Sequence, residues 1–214
     1  MKNDQDNSIV GRSVVWVFSA FAVISIFLFL FNVSRPPGEP LKSIDQLGGS
    51  FTLTTSHRNF SLSDIRGKVG ILYFGFTNCQ DACPSSITVF RSAYQQLTNY
   101  ERQKVQFVYI SVDPERDNDQ QLSDFCGTYD NEIVAFTGTE EQIDTLTKQY
   151  GVYFDIEDFE GDTDDYVVDH SSRFYLIDHQ GTLVRSMSHS TTPTELAARI
   201  LQMIERIPVE IKIP

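Results

Sequence analysis

Hydrophobic and polar positions along the chain fall into two regimes. From Val14 to Phe31 the sequence VVWVFSAFAVISIFLFLF is apolar on every side, uncharged, and interrupted only by Ser19 and Ser25. As a helix it would extend about 27 Å, close to the hydrocarbon thickness of a bilayer. A cleaved secretory signal has a shorter apolar core and small residues at its cleavage site. Here NVSRPPGEP follows, with no A-x-A pattern and no lipid-modifiable cysteine. An uncleaved transmembrane anchor over residues 14–33 is the expectation, after an N-terminal cytoplasmic tail of residues 1–13, with membrane lipid as the partner of residues 14–31. A core helix lacking a polar face is the weaker alternative. Lys2 and Arg12 before the run nearly balance Arg35 and Lys42 after it, so the usual Lys/Arg asymmetry does not set the orientation. Asp4 and Asp6 do not suit an acid-poor mitochondrial transit peptide. The reading that remains is a bacterial inner-membrane protein, single-pass, with its soluble domain in the periplasm. Residues 34–43, containing RPPGEP, read as a stiff extended linker.

From residue 44 to 214 the pattern changes to that of one α/β domain. SFTLTT (50–55) and FSLSD (60–64) flank the polar turn SHRN, which signals a hairpin. VGILYFGF (69–76) and VQFVYISV (105–112) are near-continuous apolar runs, the mark of strands covered on both faces. Between them Ile87, Phe90, Tyr94 and Leu97 recur at helical spacing. Pro84 suits the first helical position, which would make Cys83 the cap. A helix is expected around 119–129, a short strand at 133–136, and a helix with Ile143, Leu146 and Tyr150 behind the capping box Thr139/Gln142. Strands at 165–170, 173–178 and 182–187 follow, the last two joined by the turn HQG. Thr192 as cap, Pro193 and Glu195 open the final helix. This order is that of a thioredoxin-like sheet with an N-terminal hairpin, preceded by one transmembrane helix.

Charge narrows the partners. The 214 residues carry 17 Lys+Arg against 29 Asp+Glu, a net charge of -12. Neutralising phosphates takes clustered cations, so that balance argues against a nucleic acid as a partner. The mean hydropathy of -0.22 is an average over unlike parts, because residues 1–33 hold two cations and two anions and the whole deficit falls on the rest. Three cysteines are too few for a disulfide scaffold, so cysteine chemistry has to be local.

Two of them, Cys79 and Cys83, sit in FTNCQDACP at a strand-to-helix junction. Helix N-termini stabilise thiolates. Such a pair can close a disulfide or chelate a soft metal such as Cu(I), and the bland alternative is two buried apolar cysteines. The spacing is wider than the C-x-x-C of thioredoxins. Position 76 is Phe where a peroxiredoxin has Thr, and no second ligand pair suits a zinc finger. Cys126, in DFCGTY, reads as a small buried hydrophobe. His57 and His179 fall in expected turns and read as surface residues, and His189 in SMSHSTT has no evident role. His170 ends the strand DYVVD in an apolar neighbourhood, but spacing alone does not bring it to the cysteines.

The run GILYFGFTNCQDACPSSI resembles the G-Y-T-x-C-P-D-x-C-P segment of the Sco/SenC copper-binding proteins, as do LGGSFTLT, YISVDPERD, AFTGTEEQI and VDHSSRFYLID, in the family's order. The resemblance implies a thioredoxin-like fold holding copper through Cys79, Cys83 and the distant His170. It further implies Cu(I) as cargo with Cu(II) left open, and delivery to the copper-site subunit of cytochrome c oxidase, with a dithiol reductant to keep the pair reduced. Asp81 matches the acidic residue of the family's cysteine loop and Asp113 matches a motif near the site, or else is a solvated turn residue. Gln80 departs from the family's proline, and the acidic run 155–165 is richer in carboxylate than the pattern requires. That run does not fit a calcium loop, since aligning Gly161 puts Ile156 and Val167 at ligand positions, and it reads as a solvated loop. A metallochaperone is favoured over an enzyme. A thiol-disulfide oxidoreductase cycling Cys79 and Cys83, or a redox or copper sensor, uses the same residues.

Overall fold

The structure, a computed structural model, describes residues 23–27, 43–55, 59–129, 132–158, 166–170 and 172–208, with the backbone alone for 155–158 and 166–170. The chain divides into Met1–Leu41 and Lys42–Pro214, and the second unit carries the fold that follows. Most of the expected anchor and linker, and His57, lie outside the described residues. Residues 23–27 are helical, and among the described residues no helix is long and apolar enough to cross a membrane.

The hairpin forms where expected, with β1 (Thr52–Thr54) antiparallel to β2 (Asn59–Ser61) and Leu53 opposite Phe60. The central sheet has the strand order Val134–Phe136, Val105–Ser111, Val69–Gly75, Arg173–Ile177, Leu183–Ser188. In it β3 (Val69–Gly75), β4 (Val105–Ser111) and β5 (Val134–Phe136) are parallel. Strand β8 (Arg173–Ile177) runs antiparallel between β3 and β9 (Leu183–Ser188). Every residue of β3 is buried. The period-2 geometry of a strand then divides its side chains between two cores. Ile71 and Tyr73, with Phe107, Tyr109, Phe174 and Leu176 of the neighbouring strands, face helices α1 (Ala82–Tyr94), α3 (Asp119–Gly127) and α5 (Pro193–Ile204). Leu72 and Phe74, with Val108, Ile110, Tyr175 and Ile177, face α4 (Glu140–Tyr150) and the hairpin. A continuous apolar run is what a strand covered on both sides requires. The stacked rings of Phe90 and Phe107, 4.2 Å apart, tie α1 to the sheet.

The capping boxes at Thr139/Gln142 and Thr192/Glu195 form as expected. A one-turn helix, α2 (Asn99–Arg102), was not expected; its own capping box starts at Thr98. The acidic run also departs from the solvated-loop reading. Its first residues belong to β6 (Phe154–Asp158), which pairs antiparallel with β7 (Tyr166–His170), Phe154 lying opposite His170. The charged residues conceal a strand that pairs only within this separate two-stranded sheet.

Phe107 is 1% exposed and packed on Phe90. Phe107→Ala is expected to lower the stability of the full chain by about 3–5 kcal/mol, measured by denaturant unfolding, and a loss under about 1 kcal/mol would contradict this packing.

Candidate functional site

Strand β3 ends at Gly75 beneath two functional groups. A Cβ at Gly75 would lie 2.5 Å from Tyr109 Oη and 2.7 Å from Cys83 Sγ. Only glycine lets the β4 tyrosine and the α1 thiol converge over the end of this strand. Beyond it, the loop 76–81 is fastened in turn. Tyr109 Oη donates to the Phe76 carbonyl at 3.0 Å, and the Cys79 N–H turns back to the same carbonyl at 3.3 Å. Thr77 donates its N–H (2.9 Å) and its hydroxyl (2.5 Å) to the carboxylate of Asp117. Asp117 is buried, and Ser111 Oγ at the end of β4 also donates to it, at 2.5 Å.

Helix α1 starts one residue before the expected cap. Asp81 occupies the cap position but makes no side-chain cap bond, so Cys83 lies inside the first turn. Pro84 at the third position has no N–H to satisfy, and the N–H of Cys83 donates to Cys79 Sγ at 3.3 Å. The first cysteine's sulfur thereby does what a cap side chain does.

The two thiols are unequal. Cys83 is buried whereas Cys79 is half-buried, at the seam where both cores meet. The Cys83 thiol is pushed far up, first by its hydrogen bond to Cys79 and then by burial, with hydrogen bonds from Tyr109 and the Phe76 backbone acting the other way. The helix-terminus effect expected to lower thiol pKa values is outweighed at Cys83. Burial, and next the neighbouring Cys83, also push Tyr73 and Tyr109 up. Cys126 lies buried in α3, its thiol pushed up to about 12 by burial and then by Asp117, which suits a small core hydrophobe.

His170 ends β7. Tyr73 in β3 is tied to α1, its hydroxyl donating to the Ala82 carbonyl at 3.3 Å and accepting from Ser86 Oγ at 3.0 Å. Phe174 then pairs with Tyr73. The antiparallel pairing of β8 with β3 thus leads the backbone just after His170 back to the helix turn that carries Cys83. His189, for which no role was expected, is exposed at the same place; its N–H donates to the Ser172 carbonyl at 3.0 Å and its Nδ1 lies 3.3 Å from that oxygen. His179 sits at the far end of the sheet, its carbonyl accepting from Gly67 just before β3, and is half-buried, not a surface residue.

Asp113 is buried and takes a 2.6 Å ion pair from Arg116 Nε, so it is not a solvated turn residue. Asp81 and Gln80 are exposed. Among the described residues no three His, Cys, Asp or Glu side chains group closely enough to hold a metal ion; the His170 side chain is not one of those described. Asp117, whose carboxylate holds Thr77 of the loop 76–81, was not singled out from the sequence. Its signal was present, as the final residue of YISVDPERD.

Residues 40–205 match the SCO1/SenC family. Protein sco1 of Schizosaccharomyces pombe is 35% identical over 157 residues, 72% of this chain and 60% of that protein, so the chain spans well under the relative's whole length. A copper-bound structure of Bradyrhizobium japonicum ScoI superposes with a TM-score of 0.66 at 29% identity, covering 73% of this chain and 99% of that one. Copper-bound yeast Sco1 gives 0.67 at 29% identity, over 78% and 92%.

The burial order predicts the order of reaction. In the reduced full chain at mildly alkaline pH, iodoacetamide is expected to label Cys79 first and Cys83 and Cys126 about tenfold or more slowly, as read by mass spectrometry of peptides; labelling of Cys126 as fast as Cys79 would refute the assignment.

Proposed function

The chain belongs to the SCO1/SenC family, and from that membership we propose that it is a membrane-anchored copper chaperone whose cargo is held by Cys79, Cys83 and His170. The observation that carries this reading is the cysteine pair at the start of α1, where the N–H of Cys83 donates to Cys79 Sγ, with the pairing of Phe174 and Tyr73 leading the chain just after His170 toward the same turn. Two sulfurs and an imidazole are a soft donor set suited to Cu(I). The nearby carboxylates are hard donors, and Asp113 is already engaged by Arg116. The copper-bound structures of the Bradyrhizobium and yeast neighbours support the same cargo.

Holding Cu(I) requires both thiols deprotonated, so uptake releases protons and weakens as pH falls. It requires the pair reduced, hence a dithiol reductant. Tyr109, Gly75 and the Phe76 carbonyl close the inner side of the site, while the half-buried Cys79 leaves the outer side open for transfer. Cu(II) is a further state the same donors could meet. The recipient proposed is the copper-site subunit of cytochrome c oxidase. The apolar run 14–31 supports an anchor in a bacterial inner membrane, and the linker 34–43 would tether the domain 44–214 on the periplasmic side. The Cys83 N–H directed at Cys79 Sγ also favours a second reading, in which Cys79 and Cys83 cycle between dithiol and disulfide as an oxidoreductase.

His170 separates the two. His170→Ala in the reduced full chain is expected to lower Cu(I) affinity at least about tenfold, the scale on which even outer-shell partners act, in anaerobic competition with a chelator. Unchanged affinity beside a readily exchanged disulfide would favour the oxidoreductase.

A further inference from the structure

The loop 76–81 carries the first sulfur, and besides its own bond from the Cys79 N–H to the Phe76 carbonyl its backbone is fixed by groups from β4 and the turn after it. Tyr109 takes the Phe76 carbonyl. The larger grip is at Thr77, where one carboxylate takes both polar groups of a single residue: Asp117 Oδ2 accepts the N–H and Oδ1 the hydroxyl. Asp117 is 1% exposed. A carboxylate so deeply placed is unfavourable unless hydrogen bonds hold it, and the bonds it receives come from Thr77 and from Ser111 at the β4 end. Its own N–H donates to the Asp113 carbonyl at 3.0 Å, fixing the turn in which it sits. Thr77 stands two residues before Cys79, and the sulfur of Cys79 must reach back to the N–H of Cys83.

We propose that Asp117 is a positioning residue for the thiol pair, gripping Thr77 so that the Cys79 sulfur is held against the N–H of Cys83. The inference takes the thiol pair as the working site and is independent of whether that site serves copper or a disulfide partner. Preorganised sulfurs act on each other at high effective concentration. Releasing Thr77 lowers that concentration and makes the internal disulfide harder to close.

The test is the equilibrium of the metal-free full chain with glutathione. Cys79 and Cys83 each give up a proton and one electron to form the S–S bond, and one glutathione disulfide accepts both to become two glutathione thiols. Asp117→Asn and Thr77→Val are each expected to lower the equilibrium constant for closing this disulfide about tenfold, which corresponds to about 30 mV. Thr77→Ser keeps the hydroxyl and should match the unmodified chain. The double variant Asp117→Asn with Thr77→Val should be no worse than the more impaired single one. An unchanged constant beside a lowered melting temperature would reduce Asp117 to a structural residue and overturn the proposal, as would Thr77→Ser behaving like Thr77→Val. If Asp117→Asn fails to fold, the contrast between the two Thr77 variants decides alone. Because no copper is present, the result stands apart from the fate of the chaperone reading.

Discussion

The Tyr109 hydroxyl lies over the end of β3, where it donates to the Phe76 carbonyl and approaches the Cys83 sulfur across a position that Gly75 leaves open. The site depends on this convergence. A strand buried on both faces has little freedom to shift, because each side chain is locked into one of two packed cores. Its end is therefore a fixed point, and the thiol loop starts from it. β4 supplies the tyrosine and the turn after it supplies Asp117, so the loop is positioned by the neighbouring parallel strand as well as by its own short sequence.

Two effects compete at the thiols. A helix N-terminus favours a thiolate by its unpaired N–H groups and partial positive charge. The adjacent Cys79 sulfur and then removal from water favour a protonated Cys83, and at this residue they win. The N–H of Cys83 is directed at the Cys79 sulfur, so the helix terminus acts on the more accessible of the pair. The result is one outward sulfur and one inward sulfur. That asymmetry suits a site that must pass its charge to a partner from one side while shielding it on the other.

The central architecture was legible because its strands are long, apolar and covered twice, a pattern that few alternatives produce. The capped helices at Thr139 and Thr192 were legible because both members of each capping box lie close in sequence. β6 was not, since it pairs only within a two-stranded ribbon and four of its five residues lie in or beside a run of carboxylates. The cap at Cys83 was misplaced because a sulfur from four residues earlier replaces the side chain that normally marks a helix start. Cys79 and Cys83 could be picked out by spacing alone, whereas the route from them to His170 is a strand pairing, Tyr73 with Phe174, that no local pattern encodes. The same holds for Asp117, whose target lies 40 positions away.

The central claim is that two sulfurs and one imidazole of this chain hold a single Cu(I). X-ray absorption on the full chain, reduced and loaded anaerobically with one equivalent of Cu(I), tests it most directly. The account predicts a three-coordinate spectrum with two sulfur scatterers at thiolate distance and one nitrogen that disappears in His170→Ala. A spectrum of sulfur scatterers alone, identical in that variant, would contradict it.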